Sequence, residues 1–199
     1  MGTSAIPIVL TFLLVFFTWQ IVFSTNRDLV RARAWGELAR RLLPFAAIVL
    51  MAATLPFVQY WQDSWMPYIW AISFGVVLVA ANSLSMPLDE RRASRAFRSG
   101  DYARSAELYQ KLVEERPLAR YWAFLGAALG AEERHEEAVD ASTKAVELDP
   151  EYGLAYYNRA LILQRMGRKS RATKDLRKAL EADLPRRFRT AAKRMLEET

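Results

Sequence analysis

The stretch Ala119–Pro150, ARYWAFLGAALGAEERHEEAVDASTKAVELDP, decides the fold. Apolar and small residues recur in it at helical spacing, first as Trp122, Leu125, Gly126 and Leu129, then as Ala138 and Ala145. The charged run EERHEE separates the two sets, and Pro150 closes the second. Two helices joined by a short turn are predicted. Gly126, Ala138 and Ala145 are small enough to let the pair approach closely, while Trp122 and Leu125 fill the space between them. Proline ends the second helix because it has no amide proton and clashes with the preceding turn.

The same pattern returns on both sides with a period of about 34 residues, punctuated by Pro117, Pro150 and Pro185. Downstream, Gly153 to Leu184 supplies Tyr156, Ala160, Leu163, Gly167, Ala172, Leu176 and Ala179. Upstream, Gly100, Tyr102, Ser105, Tyr109, Leu112 and Pro117 form the second half of another unit. A pattern in which each helix pair buries its apolar face only against the next pair is a stacking pattern.

With these residues in place, the second half of the chain resembles the tetratricopeptide repeat (TPR) family. Trp122, Leu125, Gly126 and Leu129 fall on its W-x2-L-G-x2-Y element, with Leu129 in the Tyr place, and Ala138, Ala145 and Pro150 on its second helix. Ser142 stands where a large apolar residue is usual, and Arg159 in a usual Leu place. The resemblance implies repeats at about 86–117, 119–150 and 153–185, the first degenerate with Asp89 and Arg92 in the Trp and Leu places, and a capping helix 186–197. It also implies a protein-binding groove lined by Arg98, Arg120, Ala123, Ala127, Leu154, Tyr157, Asn158, Leu161 and Arg165. The family's carboxylate clamp for chaperone tails needs Lys and Asn where Glu90 and Ser94 stand, which disfavours such tails. Trp122 and Tyr156 are expected to be packing residues, and the lone His135 an exposed turn residue.

Charge divides the repeats. Acids dominate from Glu132 to Glu151, and bases from Arg159 to Arg194, with Arg168, Lys169, Arg171, Lys174, Lys178, Arg186 and Arg187 as a basic surface. Such a surface suits an acidic protein first and anionic lipid second. Nucleic acid is not expected, since stacking aromatics are sparse there.

The first half has a different composition. Met1–Asn26, Leu42–Gln62 and Ser64–Leu88 carry no charge, and each reaches the ~20 residues that a helix needs to cross a bilayer. The expected spans are about 4–23, 42–61 and 67–86, with an amphipathic connector 26–41, in an anchor 1–88 ahead of a TPR-like domain 89–199. Arg27, Arg31, Arg33, Arg40 and Arg41 follow the first stretch, and Arg91, Arg92, Arg95 and Arg98 the third. The positive-inside bias then puts the N-terminus outside and the repeats in the cytoplasm. Tyr60, Trp61, Trp65, Tyr68 and Trp70 are the expected interfacial aromatics.

The fold class expected is therefore all-α: three transmembrane helices followed by an antiparallel helix-pair solenoid with a capping helix. No Asp, Glu, Lys, Arg or His lies within the three expected spans, which argues against transport. The chain has no cysteine, and its one histidine cannot build a zinc site or hold haem inside the bilayer, so no cofactor and no metal is expected. No phosphate loop or nucleophile–base pair points to an enzyme. The expected function is a membrane-anchored scaffold or adaptor that binds proteins through a cytoplasmic TPR domain, as an assembly factor or accessory subunit of a larger membrane complex. The alternative is a structural integral subunit held by its spans. A chaperone of the apocytochrome type, with repeats on the outer side, fits the arginine distribution less well. Pro87 follows the third stretch without a Gly/Ser linker, which predicts repeats held at a fixed height.

Overall fold

The computed structural model describes Leu13, Phe16, Phe17, Trp19, Gln20, residues 22–58 and residues 65–198. The chain divides into two compact units, Met1–Pro87 and Leu88–Thr199.

In the first unit, residues 22–25 are helical, followed by α1 (Arg27–Arg31), α2 (Trp35–Val58) and α3 (Met66–Leu84). The amphipathic connector expected over 26–41 is broken. Arg33 sits at φ 52, and the Ala34 amide reaches back to the Leu29 carbonyl at 2.9 Å, which closes α1. Arginine at a left-handed position gave no sign of this stop, since glycine is the usual marker. The arginines Arg40 and Arg41 instead lie in the second turn of α2, the helix that continues into the second apolar stretch. Trp70 Nε1 donates to Thr54 Oγ1 at 2.8 Å, tying α3 to α2.

The three expected spans are not all visible. The first lies mostly outside the described residues, as do 59–61 of the second. Among the described residues one helix, α3, is long and apolar enough to cross a bilayer: it has 19 residues, no charge and no buried residue.

The second unit consists of α4 (Leu88–Arg98), α5 (Tyr102–Glu115), α6 (Ala119–Ala131), α7 (His135–Leu148), α8 (Gly153–Arg165), α9 (Lys169–Glu181) and α10 (Arg186–Glu197). They pack as successive antiparallel pairs, α4–α5, α6–α7 and α8–α9, with α10 against α9. The turn inside each pair is built alike. Gly100, Glu133 and Gly167 all have positive φ, and the next amide bonds the carbonyl five residues back: Asp101 to Ala96, Arg134 to Leu129, Arg168 to Leu163. This six-residue closure satisfies helix-end carbonyls that would otherwise be orphaned.

Small residues mark the crossings. A Cβ on Gly126 would stand 2.4 Å from Ser142 Oγ and 3.0 Å from the Ala138 carbonyl, so the α6–α7 contact requires glycine on one side and accepts only a small residue on the other. This accounts for Ser142, fully buried in a place where the pattern favours a large residue. A Cβ on Gly153 would stand 2.6 Å from the Leu184 amide nitrogen and 2.9 Å from the Ala179 carbonyl, so glycine lets the end of the third pair close on the start of α8.

The core forms two clusters along the stack, one from Ala93, Tyr109 and Leu112 to Tyr121, Leu125 and Leu129, the other from Leu154 and Leu163 to Leu176 and Ala192, with the half-buried Phe124 and Val139 packed against both. Each large side chain so buried is worth about 1.5–3 kcal/mol. Tyr121, rather than its neighbour Trp122, is the fully buried aromatic; Trp122 and Tyr156 are half-buried. The first helix is more than a polar end: Glu90 is buried and accepts a hydrogen bond from Tyr121 Oη at 3.2 Å.

Candidate protein-binding surface

The first helices of the three pairs are α4, α6 and α8, and their shared face is where the groove was expected. The structure puts five of its nine predicted residues inside instead. Ala123 packs in a small cluster with Ala145 and Ala155, and Asn158 Nδ2 donates to the Ala123 carbonyl at 3.0 Å, so α6 and α8 consume that part of each other's surface. Arg120 is buried as well. Leu154 and Tyr157 join the apolar cluster that Phe188, Met195 and Leu196 of α10 help to close, with the Tyr157 and Phe188 rings 5.3 Å apart. Burial pushes the Tyr157 phenol above its ordinary range.

Four of the nine keep some exposure. Ala127 and Leu161 are half-buried, and Arg98 and Arg165 lie at the surface. Arg98 Nη1 donates to Ser94 Oγ at 3.2 Å. Arg165 Nη1 donates to the Gly130 carbonyl at 2.9 Å, an acceptor in the last turn of α6, where a cation also meets the negative end of the helix dipole. The usable groove face is thus narrower and more basic than the positional carry-over implied.

Of the predicted basic surface, Arg168, Lys169, Arg171, Lys174, Arg186 and Arg187 are exposed, Arg187 lying over the Phe188 ring at 4.7 Å. Lys178 pairs with Glu181 at 2.8 Å. Arg189, within the same basic segment, is structural. Its guanidinium donates to the carbonyls of Leu184, Leu180 and Ala182 at 3.0, 3.2 and 3.2 Å, capping α9 and fastening α10.

Arg159 is the residue whose role the sequence concealed. Its Nε and Nη2 donate to Asp175 Oδ2 and Oδ1 at 2.7 and 2.9 Å, and Nη1 donates to Thr143 Oγ1 at 3.0 Å. One side chain on α8 thereby bridges α7 and α9. The Asp175 carboxylate holds the Arg159 guanidinium's pKa above its ordinary value. An arginine in a leucine place was the available signal.

Of the expected interfacial aromatics, Trp65 and Tyr68 are exposed, and Tyr60 and Trp61 lie outside the described residues. Trp70 is half-buried in the α2–α3 contact and stacked on Phe74, so packing occupies it. His135 is half-buried at the first turn of α7, not an exposed turn residue. Among the described residues no group of three His, Asp or Glu is arranged to hold a metal ion.

Repeated antiparallel helix pairs, stacked through small residues and closed by a last helix, define a helix-pair solenoid. Tetratricopeptide repeats are found in it: residues 119–152 match one profile described as tetratricopeptide repeat, and residues 142–174 match another. The small glutamine-rich tetratricopeptide repeat-containing protein 2 of Mycosarcoma maydis is 30% identical over 91 residues, 45% of this chain and 26% of that protein. The chain therefore spans about a quarter of that relative's length. Three solved structures share the fold. The translocator chaperone SycD of Yersinia enterocolitica type III secretion superposes with a TM-score of 0.52 at 22% identity, over 55% of this chain and 87% of its own. The Sgt2 TPR domain of Aspergillus fumigatus gives 0.51 at 24%, over 55% and 73%. The TPR2B domain of yeast Sti1, in its pHsp70 complex, gives 0.51 at 20%, over 56% and 96%.

Proposed function

We propose that the chain is a membrane-anchored adaptor, an assembly factor or accessory subunit that carries a cytoplasmic tetratricopeptide domain to a larger membrane complex and binds protein there. The observation that carries the membrane part is α3. Trp65 and the helix residues Ile72, Val76 and Val79 are 63–68% exposed, Ile69 is 43% exposed, and together they make one apolar stripe on a helix without a buried residue. Leaving such side chains in water forgoes about 1.5–3 kcal/mol each. A lipid environment removes that cost, and the residues flanking the stretch on its C-terminal side, Arg91, Arg92, Arg95 and Arg98, favour the cytoplasmic face.

The protein-binding part rests on the repeats. Helix-pair stacks present a continuous face built from several repeats, and the TPR2B domain of yeast Sti1, which shares the fold, was solved as a complex with pHsp70. Here Arg98, Ala127, Leu161 and Arg165 are the exposed or half-buried residues of that face, a basic and apolar mixture fitted to an extended acidic segment. The test is fractionation of cells that make the full chain, followed by protease treatment from each side. The proposal expects the chain to stay in the membrane pellet after a carbonate wash, with the repeats cut only from the cytoplasmic side. Release by carbonate would sink the anchor, and cleavage from the outer side would sink the orientation.

A further inference from the structure

The second helices of the last two pairs carry opposite charge on equivalent positions. The left-handed turn residues Glu133 and Gly167 fix the correspondence, and from it Glu137 of α7 matches Arg171 of α9, Asp140 matches Lys174, and Thr143 matches Arg177. Residues 132–147 hold six acids and two bases; residues 166–181 hold six bases and two acids. The two segments are equal and opposite in formal charge. Arg134 pairs with Glu132 and Glu137, Lys144 with Glu147, and Lys178 with Glu181, all within their own segments. Among the described residues no ion pair crosses from the acids of α7 to the bases of α9, although both helices pack against α8, whose Arg159 bonds Thr143 of the one and Asp175 of the other. Glu136 and Asp140 on one helix, with Glu133 in the turn before it, and Arg171, Lys174 and Arg177 on the other, with Arg168 at its N-cap, are exposed.

We infer that this face pairs with the same face of a second copy of the chain. Both helices are second members of their pairs and run in the same sense. A two-fold axis lying between them and along them brings α7 of one copy over α9 of the other, level by level, so that Asp140 meets the partner copy's basic ridge at Lys174 and the reverse contact forms at the same time. Such an isologous interface satisfies both charged ridges at once, which neither an anionic bilayer nor a wholly acidic partner would do. The contact is polar, so it weakens with salt, and it belongs to chains concentrated in one place.

The test uses the full chain in mild detergent at low ionic strength, with mass read by light scattering. Wild type is expected to be dimeric there, with at least a tenfold weaker association at about 0.5 M salt, where the screening length falls below ~5 Å. Glu136→Lys with Asp140→Lys should give monomers, as should Arg171→Glu with Lys174→Glu, while the fourfold variant, with the ridges exchanged, should dimerise again. The chain has no cysteine, so Asp140→Cys and Lys174→Cys variants can be mixed; a disulfide between them, absent from Lys174→Cys alone, supports the pairing without reversing any charge. A monomer at low salt would overturn the inference. So would a dimer that survives both reversals, or one that only the α9 reversal affects; the latter, together with loss of binding to vesicles containing phosphatidylserine, would assign the basic ridge to lipid instead.

Discussion

Replacing Asp175 by Asn should be among the most damaging single changes at any polar position of the repeats. The Arg159 and Asp175 side chains are 17% and 9% exposed, and the pair makes two charge-assisted hydrogen bonds at 2.7 and 2.9 Å. Asparagine keeps the shape but removes the countercharge, and stranding a buried charge costs about 3–5 kcal/mol. The lower end applies here, because Arg159 keeps Thr143 at 3.0 Å and the Tyr156 ring at 5.7 Å. About 3 kcal/mol corresponds to a fall of roughly 12 °C in the melting temperature of a domain this size. The control comes from the chain itself: Leu125 and Ala141 hold the equivalent positions in the preceding repeat. The double variant Arg159→Leu with Asp175→Ala copies that apolar pair and should lie within about 1 kcal/mol of wild type, as removal of a whole buried ion pair often does. Urea and thermal melts of Leu88–Thr199, followed by circular dichroism, measure both. A cost below about 1 kcal/mol for Asp175→Asn, or a double variant no more stable than the single, would refute the claim that the pair is a desolvated bridge across three helices.

Further outcomes follow from the close contacts and turns. Gly153→Ala should destabilise by about 1–3 kcal/mol, because the added methyl meets backbone that cannot swing away; a melt unchanged from wild type would mean that the α8 start is looser than drawn. Glu133→Gly should leave stability unchanged or raise it by up to about 1 kcal/mol, whereas Gly167→Ala should lower it by about 1–2 kcal/mol through left-handed strain alone, since open space surrounds that position; equal and opposite signs to these would disprove the shared turn geometry. Tyr121→Phe should cost about 1–3 kcal/mol by leaving a buried Glu90 oxygen with one fewer donor, with Trp122→Phe as the milder comparison. Arg134 holds the Glu137 carboxyl below its usual range. Arg134→Gln should therefore move that titration to higher pH in carbon-detected NMR, and an unmoved midpoint would show that the pair does not persist in solution.

The helix pairs were legible because their signals are local: prolines at the ends, small residues such as Gly126 and Ala145 at the crossings, and an apolar period that needs only a few neighbours to read. What escaped is mostly non-local. Arg159 reaches residues 16 positions away in both directions, and Tyr121 finds Glu90 at a separation of 31, so no periodicity announces them. The burial of five groove candidates has a related cause. Position along a helix tells which residues share a face, but whether that face is open depends on the neighbouring helices, here the α6–α8 contact at Asn158 and the α10 cover over Tyr157. The break at Arg33 was hidden because the left-handed residue is not a glycine.

The adaptor account makes the repeats the part that chooses the partner. Affinity purification from mildly solubilised membranes, run in parallel on the full chain and on the Met1–Pro87 unit alone and read by mass spectrometry, tests this most directly. The account predicts partner proteins that accompany the full chain and are lost when Leu88–Thr199 is removed. The same partners recovered with Met1–Pro87 alone would contradict it, and would make the chain an integral subunit held by its apolar helices.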